Sequence, residues 1–531
     1  MAFNPILKLD YPDVDVIRVE DTYYMISTTM YFMPGGVILR SYDLTHWEIA
    51  SYVFDAHDDT PAARLEEGKN IYGQGMWAAS LRCHKGIFYV CFVANDTHKT
   101  YLYRAENIEG PWTKQQIAGF YHDCSLLFDD DGRTYIVYGN TDIYLTELNE
   151  DLSAPKEGGL HRLLVSDNRS KVGLGYEGSH IYKINGRYYL FLIHWPNHGT
   201  RRRTEACFVS DSLNGTFVGR DVVDDDMDYF NAGVAQGGIV DTPDGHWYAM
   251  LFQDYGALGR IPVLVPVIFQ NGFPVFGNPS THSGKVPKKV KSTSTRPGYH
   301  YAPLYGGDDF CYTPDADGKF HLKSFWQWNH IPDNSLWGIG AHSYNIKSGK
   351  LCSNLTQAVN TLTQRLVGGV STVTVTLDGS GLADGDFAGL CALQGCYAFI
   401  GLTKEAGKYY IVTHERTPGT PSNPSSGETN YDSTETARIS ADSPFVTLRL
   451  CACFRNMQDT VEFSYQDPEK YAASSKTEPD IARTFTSLGQ PHKLYFMLDH
   501  FTGCRAGLFL YSTKTSGGSA AFSHFLFDAE E

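Results

Sequence analysis

Three carboxylic acids, Asp13, Asp123 and Glu177, could exchange protons with a bound ligand if folding brought their side chains together. They form a set because each precedes a recurring pattern, in which a polar turn is followed by a strand that opens with aromatic residues. The offset from each acid to the first marked aromatic residue is ten to twelve residues. Proton-transfer chemistry would require the fold to place all three acids around one ligand.

The pattern occurs five times in the first half of the chain, at intervals of roughly 50 to 65 residues. The same offset from the remaining two copies gives Trp77 and Gln236, a large aromatic side chain and an amide. The five copies read VEDTYYMIST (19–28), HKGIFYVCFV (84–93), DDDGRTYIVYG (129–139), INGRYYLFLI (184–193) and PDGHWYAMLF (243–252).

The elements that must position these side chains are strands, because alternating aromatic-rich segments between Gly and Asp turns dominate and helical periodicity is scarce. Repeats of this length predict an all-β fold that begins with a five-bladed β-propeller, with about four strands in each blade. The strand before each hairpin would line the central channel, so the five matched residues would meet at one end of the axis. They predict a polar pocket with an aromatic platform for a sugar. Each aspartate could instead belong to an ordinary turn.

The composition of the chain argues against some classes of binding partner. The chain has 531 residues, 42% of them hydrophobic and 20% charged, which predicts a globular protein of two or three domains. A net charge of −16 without a basic tract argues against nucleic acid and anionic membrane as main partners. The longest apolar stretches, such as IPVLVPVIF (261–269), are far too short to span a membrane. Neutral ligands are favoured.

The start, MAFNPILKLD, lacks the features of a signal peptide. The eleven cysteines show no CxxC spacing and no regular pairing. Both observations favour reduced thiols and a cytoplasmic location, without disulfides or a structural zinc site.

The chain resembles glycoside hydrolase family 43, the five-bladed-propeller enzymes that include β-xylosidases and α-L-arabinofuranosidases. NPILKLDYPDVDVIRVEDTYYMIST resembles the opening motif of the family, and YHDCSLLFDDDGRTYIVYG resembles its HDPSLFFDDDGR motif. YEGSHIYKINGRYYLF and GRIPVLVPVIFQNGFPVFG are similar to two later motifs, in the same order. The chain departs from the family where Val14, Cys124 and Ser179 replace prolines, which leaves the three acids intact.

The resemblance implies a role for each acid. Asp13 would be the general base, Glu177 the general acid, and Asp123 the third carboxylate, which orients the acid and raises its pKa. Hydrolysis with inversion requires two carboxyl groups in opposite protonation states, far enough apart to admit a water molecule beside the sugar. Acids on separate blades could meet that requirement.

The resemblance also implies substrate-binding residues. Phe32, in MYFMPGG, lies where the family places an aromatic wall, Trp77 would stack against a pentose, and Arg260 would contact substrate hydroxyls. Core packing is the alternative for Phe32 and Trp77, and a salt bridge to an acid is the alternative for Arg260. Gln236 stands where many relatives carry a histidine, in some of them a metal ligand. No cofactor and no metal ligand is therefore predicted, although Ca²⁺ or another divalent ion near the axis is compatible with an amide oxygen. The run at 201–203, RRR, is predicted to be a solvated or paired edge.

The second half predicts a β-sandwich. A segment rich in Lys, Ser, Thr and Pro (285–305) separates it from the propeller, and period-two strands follow. We predict a propeller domain at 1–287, a linker at 288–307 and a sandwich at 308–531. FWQWNHIPDNSLWGI (325–339) resembles the concanavalin-like, lectin-like C-terminal domain of the β-xylosidases in the family, and TPGTPSNPSSGETN (417–430) predicts a long exposed loop.

In relatives with this architecture one aromatic residue of the sandwich closes the pocket, and Phe501 in HFTG is the matching residue. A pocket closed on one side would accept a chain end. The resemblance therefore implies an exo-acting enzyme that releases xylose from β-1,4-xylooligosaccharides, with α-L-arabinofuranosidase activity as a side reaction. We also expect a homo-oligomeric assembly. The alternatives are a principal α-L-arabinofuranosidase that acts on arabinose-bearing oligosaccharides, a carbohydrate-binding protein without activity, and a scaffold for protein partners.

Overall fold

The computed structural model describes residues 2–277, 284–416, 432–466 and 485–530. These ranges contain strands and short 3₁₀ turns and no α-helix, so the all-β class is confirmed. No helix within the same ranges is long and apolar enough to span a membrane. The 3₁₀ turns are Arg169–Lys171, Gly256–Leu258, Leu355–Gln357 and Arg455–Met457.

Five antiparallel sheets follow one another along the first half of the chain, and we call them blades 1 to 5. Blades 1, 2 and 3 consist of Asp15–Val19, Thr22–Ser27, Gly35–Ser41 and Glu48–Phe54; Met76–His84, Ile87–Ala94, Lys99–Ala105 and Thr113–Ile117; and Ser125–Phe128, Thr134–Asn140, Asp142–Leu148 and His161–Ser166. Blades 4 and 5 consist of Val172–Ile184, Arg187–Pro196, Thr204–Ser210 and Val218–Val223; and Val234–Ala235, Ile239–Asp241, Trp247–Asp254, Arg260–Gln270 and Phe273–Phe276.

The repeat read from the sequence matches the blades. Four of the five aromatic markers lie on the second strand of their blade, and Trp247 begins the strand that follows the two short inner segments of blade 5. The inner strands of successive blades contact one another around the axis. The prediction of a five-bladed propeller with the first strands innermost is therefore confirmed. The markers are Tyr23, Phe88, Tyr135, Tyr188 and Trp247.

The N-terminal segment closes the ring against blade 5. The strand Ala2–Phe3 pairs with Lys289–Val290, and the Asn4 side chain donates hydrogen bonds of 2.8 Å to two backbone carbonyls there. On the axis side, Arg18 of blade 1 forms an ion pair of 2.5 Å with Asp241 of blade 5. Closure therefore depends on contacts between the two ends of the propeller sequence.

A buried ionic cluster fills the middle of the channel. Asp15 accepts a hydrogen bond of 2.6 Å from Arg82 and contacts His180 at 3.1 Å, while Arg82 donates to Ser125 at 2.7 Å. These contacts join the inner strands of blades 1 to 4. Beyond the cluster a cavity of about 310 Å³ opens at one end of the axis. Because its cationic side chains, such as Lys183, are bonded to carboxylates, that cavity offers no free acid pair for chemistry.

The second half of the chain forms two packed sheets. One contains, in spatial order, Thr434–Ala441, Lys408–Glu415, Ala398–Glu405, Asp386–Leu393, Arg505–Ser512, Leu362–Arg365, Gln327–Asn329 and Phe32–Met33. The other contains Trp337–Gly340, Ser343–Lys347, Ser519–Glu530, Val370–Asp378, Phe445–Cys453, Thr460–Gln466 and Thr486–Ser487, with His492–Lys493 paired to Thr460–Gln466. The predicted sandwich is confirmed, and the loop predicted at 417–430 lies outside the described residues.

One strand joins the two halves. Phe32–Met33, from a loop of blade 1, pairs with Gln327–Asn329 and forms the edge of a sandwich sheet. A single apolar cluster continues from the propeller into the sandwich. The segment that connects them runs along blade 1, where Tyr299 donates a hydrogen bond of 2.6 Å to Glu48 and Arg296 pairs with Asp21 at 2.7 Å.

Candidate active site

The structure gathers the five matched positions in one small cavity at an end of the propeller axis. Asp13, Trp77, Asp123, Glu177 and Gln236 all line it. Of the residues predicted to bind substrate outside this set, Arg260 and Phe501 also line it and Phe32 does not. Sequence reasoning missed three further lining residues, Met30, Ala78 and Arg203.

Irregular backbone aims these side chains into the cavity. Asp13, Asp123 and Gln236 have left-handed φ values of 52°, 48° and 54°, at or next to the first strands of their blades. The pairing of the first strand shifts register on both sides of Glu177 and across Trp77 in their blades. Such irregularities redirect a side chain away from the regular pleat. The sequence reveals the matched spacing, but the turns that orient the side chains appear only in the structure.

Gly178 shows how closely the site is packed. Its φ is +63°, and a Cβ atom there would lie 2.7 Å from the Gln236 side chain. Its backbone N–H donates to Asp123 Oδ2 at 3.2 Å, which connects blades 3 and 4. Glycine next to Glu177 therefore allows the acid, the amide and the third carboxylate to share the cavity.

Asp13 and Arg260 form a buried ion pair, with 2.5 Å between Oδ1 and Nη1. Burial raises the pKa of Asp13, and the charge of Arg260 opposes that rise only in part. A raised pKa makes the ionised form of the carboxylate a stronger base. The sequence alternative for Arg260, a salt bridge to one of the acids, is therefore present in the structure.

Arg260 also keeps unused donors. Its Nε and Nη2 atoms are buried and have no hydrogen-bond partner among the described residues. The guanidinium lies 4.4 Å from the ring centroid of Phe501 and 5.4 Å from that of Phe252. Buried donors without partners are costly, so a ligand that supplies oxygen acceptors would be stabilised here.

Asp123 and Glu177 share a neighbour that sequence reasoning missed, His122. Its Nε2 atom lies 3.7 Å from Asp123 Oδ2 and 3.5 Å from Glu177 Oε2. Asn140 donates a hydrogen bond of 2.6 Å to the same Glu177 oxygen. His122 directly precedes Asp123 in the sequence, and this adjacency is the signal that could have identified it.

Burial raises the pKa of Asp123 to about 7, with His122 opposing the rise and Glu177 adding to it. Asp123 therefore holds its proton to higher pH than an isolated carboxyl group would. The sequence predicts that Asp123 supplies negative charge to Glu177, and the structure adds that Asp123 itself resists ionisation because it is more deeply buried.

His122 gives a testable dependence of stability on pH. Burial lowers its pKa, but the carboxylates of Asp123 and Glu177 outweigh burial and raise it to about 9. Since the unfolded value is about 6.5, the stabilisation is complete below that pH and is lost as the pH rises through about 9. We expect His122→Gln to lower Tm most near pH 6, where the free energy of unfolding should fall by at most about 3 kcal/mol. The Tm of the variant should converge with that of the parent near pH 10.

Thermal unfolding of both proteins across this range, monitored by circular dichroism, tests the expectation. His300→Gln is the matched control, since His300 is exposed. A Tm difference that stays constant from pH 6 to pH 10 would show that the charge of His122 is not responsible.

Two residue assignments need correction. Phe32 is fully buried and lies in the edge strand of the sandwich, where the Arg505 guanidinium is 3.4 Å from its ring centroid. It therefore joins the domains, and Met30 from the same loop reaches the cavity instead. Arg203 is paired as predicted, at 2.6 Å from Asp254, but it lines the cavity and does not lie on a solvated edge.

The sandwich closes the cavity through Phe501, whose ring centroid lies 6.0 Å from that of Trp77. A single buried carboxylate fixes this arrangement, because Asp10 accepts from the backbone N–H of Arg260 at 2.8 Å and from that of Gly503 at 2.7 Å. The backbone N–H of Cys504 also donates to the carbonyl of Ala257 at 2.9 Å. Both domains therefore define the pocket.

Gln236 is the residue that the family resemblance places where some relatives carry a histidine ligand of a metal ion. Its backbone N–H donates to Glu205 at 2.7 Å, and burial raises the pKa of that glutamate well above its usual value. Two clusters of metal-ligating His, Cys, Asp and Glu side chains occur in the described ranges, and one of them, His122, Asp123 and Glu177, contributes Asp123 and Glu177 to the cavity that Gln236 also lines. The absence of a metal requirement therefore stays a prediction.

Comparison with protein families gives two matches. The model described as "Glycosyl hydrolases family 43" matches residues 2–274, and that described as "Beta xylosidase C-terminal Concanavalin A-like domain" matches residues 318–528. A "Beta-xylosidase" of Formosa agariphila is 27% identical over 78% of this chain and 76% of its own length. A "Non-reducing end alpha-L-arabinofuranosidase" of Bacteroides ovatus is 28% identical over 52% of this chain and 53% of its own length.

Among solved structures, a "Bifunctional GH43-CE" protein of Bacteroides eggerthii superposes with a TM-score of 0.86 at 38% identity and covers all of this chain. This chain spans only 64% of the length of that protein. An engineered GH43 enzyme described as having both endo-xylanase and exo-arabinofuranosidase activity superposes with a TM-score of 0.83 at 27% identity, over 99% of both chains.

Proposed function

Because the chain belongs to the glycosyl hydrolases of family 43, we propose that it is an inverting exo-glycosidase that releases xylose from the non-reducing end of β-1,4-xylooligosaccharides. The observation that carries the proposal is the meeting of Asp13, Asp123 and Glu177 in one cavity with the unpaired donors of Arg260. A pocket that only bound sugars would not need three buried or half-buried acids. The chain is a glycosidase that acts on carbohydrates containing xylose or arabinose.

In the proposed mechanism Asp13 takes a proton from a water molecule as the water oxygen attacks the anomeric carbon. The ion pair with Arg260 holds the Asp13 carboxylate in place. Glu177 gives its proton to the glycosidic oxygen as the bond to the leaving sugar breaks. The anomeric configuration inverts, because water attacks the face opposite to the leaving group.

Asp123 and His122 control the proton of Glu177. In the pair that Asp123 forms with Glu177, burial raises the pKa of Asp123 to about 7, so this buried neighbour of the general acid resists ionisation. His122 lies within 4 Å of both carboxyl groups and holds them at adjacent positions. After each turnover the pair regains a proton from water, and Asp13 loses the one it received.

Exo action follows from closure of the pocket by the sandwich. Phe501 and Trp77 form an aromatic wall, and the Arg260 guanidinium packs against Phe501. A blind pocket of this kind accommodates the terminal sugar of a chain and excludes the middle of a polymer. Its small size favours a pentose.

We expect Phe501→Ala to raise KM for xylobiose by about 3- to 30-fold, because the variant loses an aromatic platform and a cation–π contact that together contribute roughly 0.5–2 kcal/mol. The kcat value should fall less, since Phe501 takes no part in the proposed proton transfers. Steady-state kinetics measure both constants. Phe445→Ala removes an exposed phenylalanine elsewhere in the sandwich and is the control. An unchanged KM in Phe501→Ala would remove the residue from the sugar site.

Product analysis with xylotriose tests the proposed reaction. We expect xylose and xylobiose as the first products, with α-xylose as the initial anomer in proton NMR spectra. Initial release of β-xylose would contradict inversion, and early release of xylobiose or xylotriose from xylohexaose, in place of xylose and xylopentaose, would contradict exo action.

A principal α-L-arabinofuranosidase is the second candidate, supported by the relatives described as arabinofuranosidases. The two pentosides have similar outlines, so one pocket could accept both. Comparison of kcat/KM for 4-nitrophenyl β-xyloside and α-L-arabinofuranoside separates the candidates. A preference for the arabinoside would reverse the order proposed here.

We also propose that hydrolysis requires no cofactor, because side-chain acids can fill both proton-transfer roles. Ca²⁺ could contact the side-chain oxygen of Gln236 but takes no part in the proposed steps. Activity that disappears after treatment with EDTA and returns with Ca²⁺ would contradict this proposal.

Location and assembly are further proposals. The eleven cysteines are all free, which supports a reducing cytoplasm. A homo-oligomer is supported by apolar side chains exposed on one sheet of the sandwich, including Phe445 and Leu526. Light scattering coupled to size-exclusion chromatography would measure the assembly, and a monomer at micromolar concentration would contradict it.

A further inference from the structure

We propose that Asp309, Cys311 and His342 form a binding site for one divalent transition-metal ion, with Zn²⁺ as the expected occupant, on the surface of the sandwich. One donor atom from each side chain lies within 4.8 Å of the other two. The residues come from two segments, a loop that precedes the first sandwich strands and the turn of a hairpin. The site is separate from the catalytic cavity and does not depend on the proposed activity.

Buried anchors hold the loop that carries Asp309 and Cys311. Exposure alternates along it, since Asp308 and Phe310 are buried while Asp309 and Cys311 are exposed. Asp308 accepts a hydrogen bond of 2.8 Å from the indole of Trp326. The Cys311 backbone N–H donates to Asp309 Oδ1 at 3.3 Å. The two donors therefore extend to solvent from a fixed stretch of backbone.

The same anchors position the loop relative to His342. The Phe310 ring centroid lies 6.0 Å from that of Tyr344, two residues after His342. His342 belongs to the short turn between Trp337–Gly340 and Ser343–Lys347, with a φ of 63°. Because Phe310 and Tyr344 are fully buried against each other, the imidazole and the other two donors are held at the same place on the surface.

The donor types select the ion. A thiolate, an imidazole and a carboxylate match the ligands of Zn²⁺, Co²⁺ and related ions, while Ca²⁺ and Mg²⁺ prefer oxygen ligands alone. Two anionic ligands neutralise the charge of a divalent ion. Three protein ligands leave a fourth tetrahedral position for water or another small ligand. Small rotations of exposed side chains would bring the donors to bonding distance.

Cys311 is exceptional among the cysteines. Of the eleven, it is the only one that is exposed, whereas the others are buried or half-buried. A buried thiol packs as a small apolar group, but an exposed one gains nothing from packing. Its position beside an imidazole and a carboxylate is the arrangement that a thiolate ligand requires.

Cobalt binding to the protein with both domains present, freed of metal with a chelator, tests the site. We expect titration with CoCl₂ to produce the thiolate-to-cobalt charge-transfer band and the visible bands of tetrahedral Co²⁺, saturating at one ion per chain. Addition of ZnCl₂ should bleach both. Zn²⁺ should also raise Tm, because an ion that binds only the folded state stabilises it.

Variants assign the ligands. Cys311→Ser should abolish the charge-transfer band and the Zn²⁺-dependent rise in Tm, and His342→Ala should abolish the tetrahedral visible bands. Cys83→Ser and His321→Ala remove a half-buried cysteine and an exposed histidine outside the cluster and should leave the spectrum unchanged.

Two outcomes would overturn the proposal. A cobalt spectrum that is absent, or that persists in Cys311→Ser, would show that the three donors do not form the site. A stoichiometry of one ion for two chains, with dimers formed on metal addition, would show that Cys311 binds metal only between molecules.

Discussion

Replacement of Glu177 by glutamine is expected to reduce kcat for xylobiose by about 10²–10⁴-fold, because the glycosidic oxygen then leaves without a proton. Glutamine has nearly the same shape and can retain the hydrogen bond from Asn140, so the pocket should remain intact. The affinity for xylose, measured by isothermal titration calorimetry with the variant, should change little. Activity and binding therefore separate.

The leaving group distinguishes loss of an acid from general damage. Nitrophenolate departs readily without protonation, so Glu177→Gln should lose much less activity on 4-nitrophenyl β-xyloside than on xylobiose. Glu106→Gln changes an exposed glutamate and is the control. Equal losses on the two substrates, or an unchanged rate on xylobiose, would remove Glu177 from the role of general acid.

Replacement of Asp13 by asparagine has the second large expected effect. Loss of the general base should lower kcat by about 10²–10⁴-fold on both substrates, since the attack of water does not depend on the leaving group. The variant also leaves the buried guanidinium of Arg260 without its counter-ion, and loss of one partner of a buried ion pair costs about 3–5 kcal/mol. Thermal unfolding should show a clear decrease in Tm.

A double variant separates catalysis from stability at this site. Asp13→Asn with Arg260→Met removes both charges, so Tm should recover most of the loss seen in Asp13→Asn. Activity should remain as low as in the single variant, or lower, because the base is still absent. If the double variant regained activity, the carboxylate of Asp13 would be a structural partner of Arg260 and not the base.

The repeat predicted much of the architecture and the centre of the site. An offset of ten to twelve residues from five aromatic markers selected Asp13, Trp77, Asp123, Glu177 and Gln236, and all five line the cavity. Spacing succeeds here because equivalent positions of a propeller are related by rotation about one axis. The positions of Arg260 and Phe501 came from the family resemblance, since neither belongs to the repeat.

The remaining features depend on contacts between distant parts of the chain. The loop at MYFMPGG was recognised, but whether Phe32 or Met30 faces the ligand depends on the edge strand that Phe32–Met33 forms with the sandwich. Arg203 reaches the cavity through its pairing with Asp254, which is distant in the sequence. The pKa of His122 is raised by Asp123, its neighbour in the sequence, and by Glu177, which belongs to another blade. Local sequence does not encode these relationships.

Because of the strand Phe32–Met33, the boundary between the domains is unsuitable for truncating the chain or for exchanging one domain. A fragment that ends near residue 290 would retain every acid, yet it would expose the unpaired strand and lack Phe501 and its loop. Recombination of catalytic modules with foreign sandwiches would have to transfer the blade 1 loop together with its receiving strand. The propeller and the sandwich of this chain can therefore be exchanged only as a matched pair.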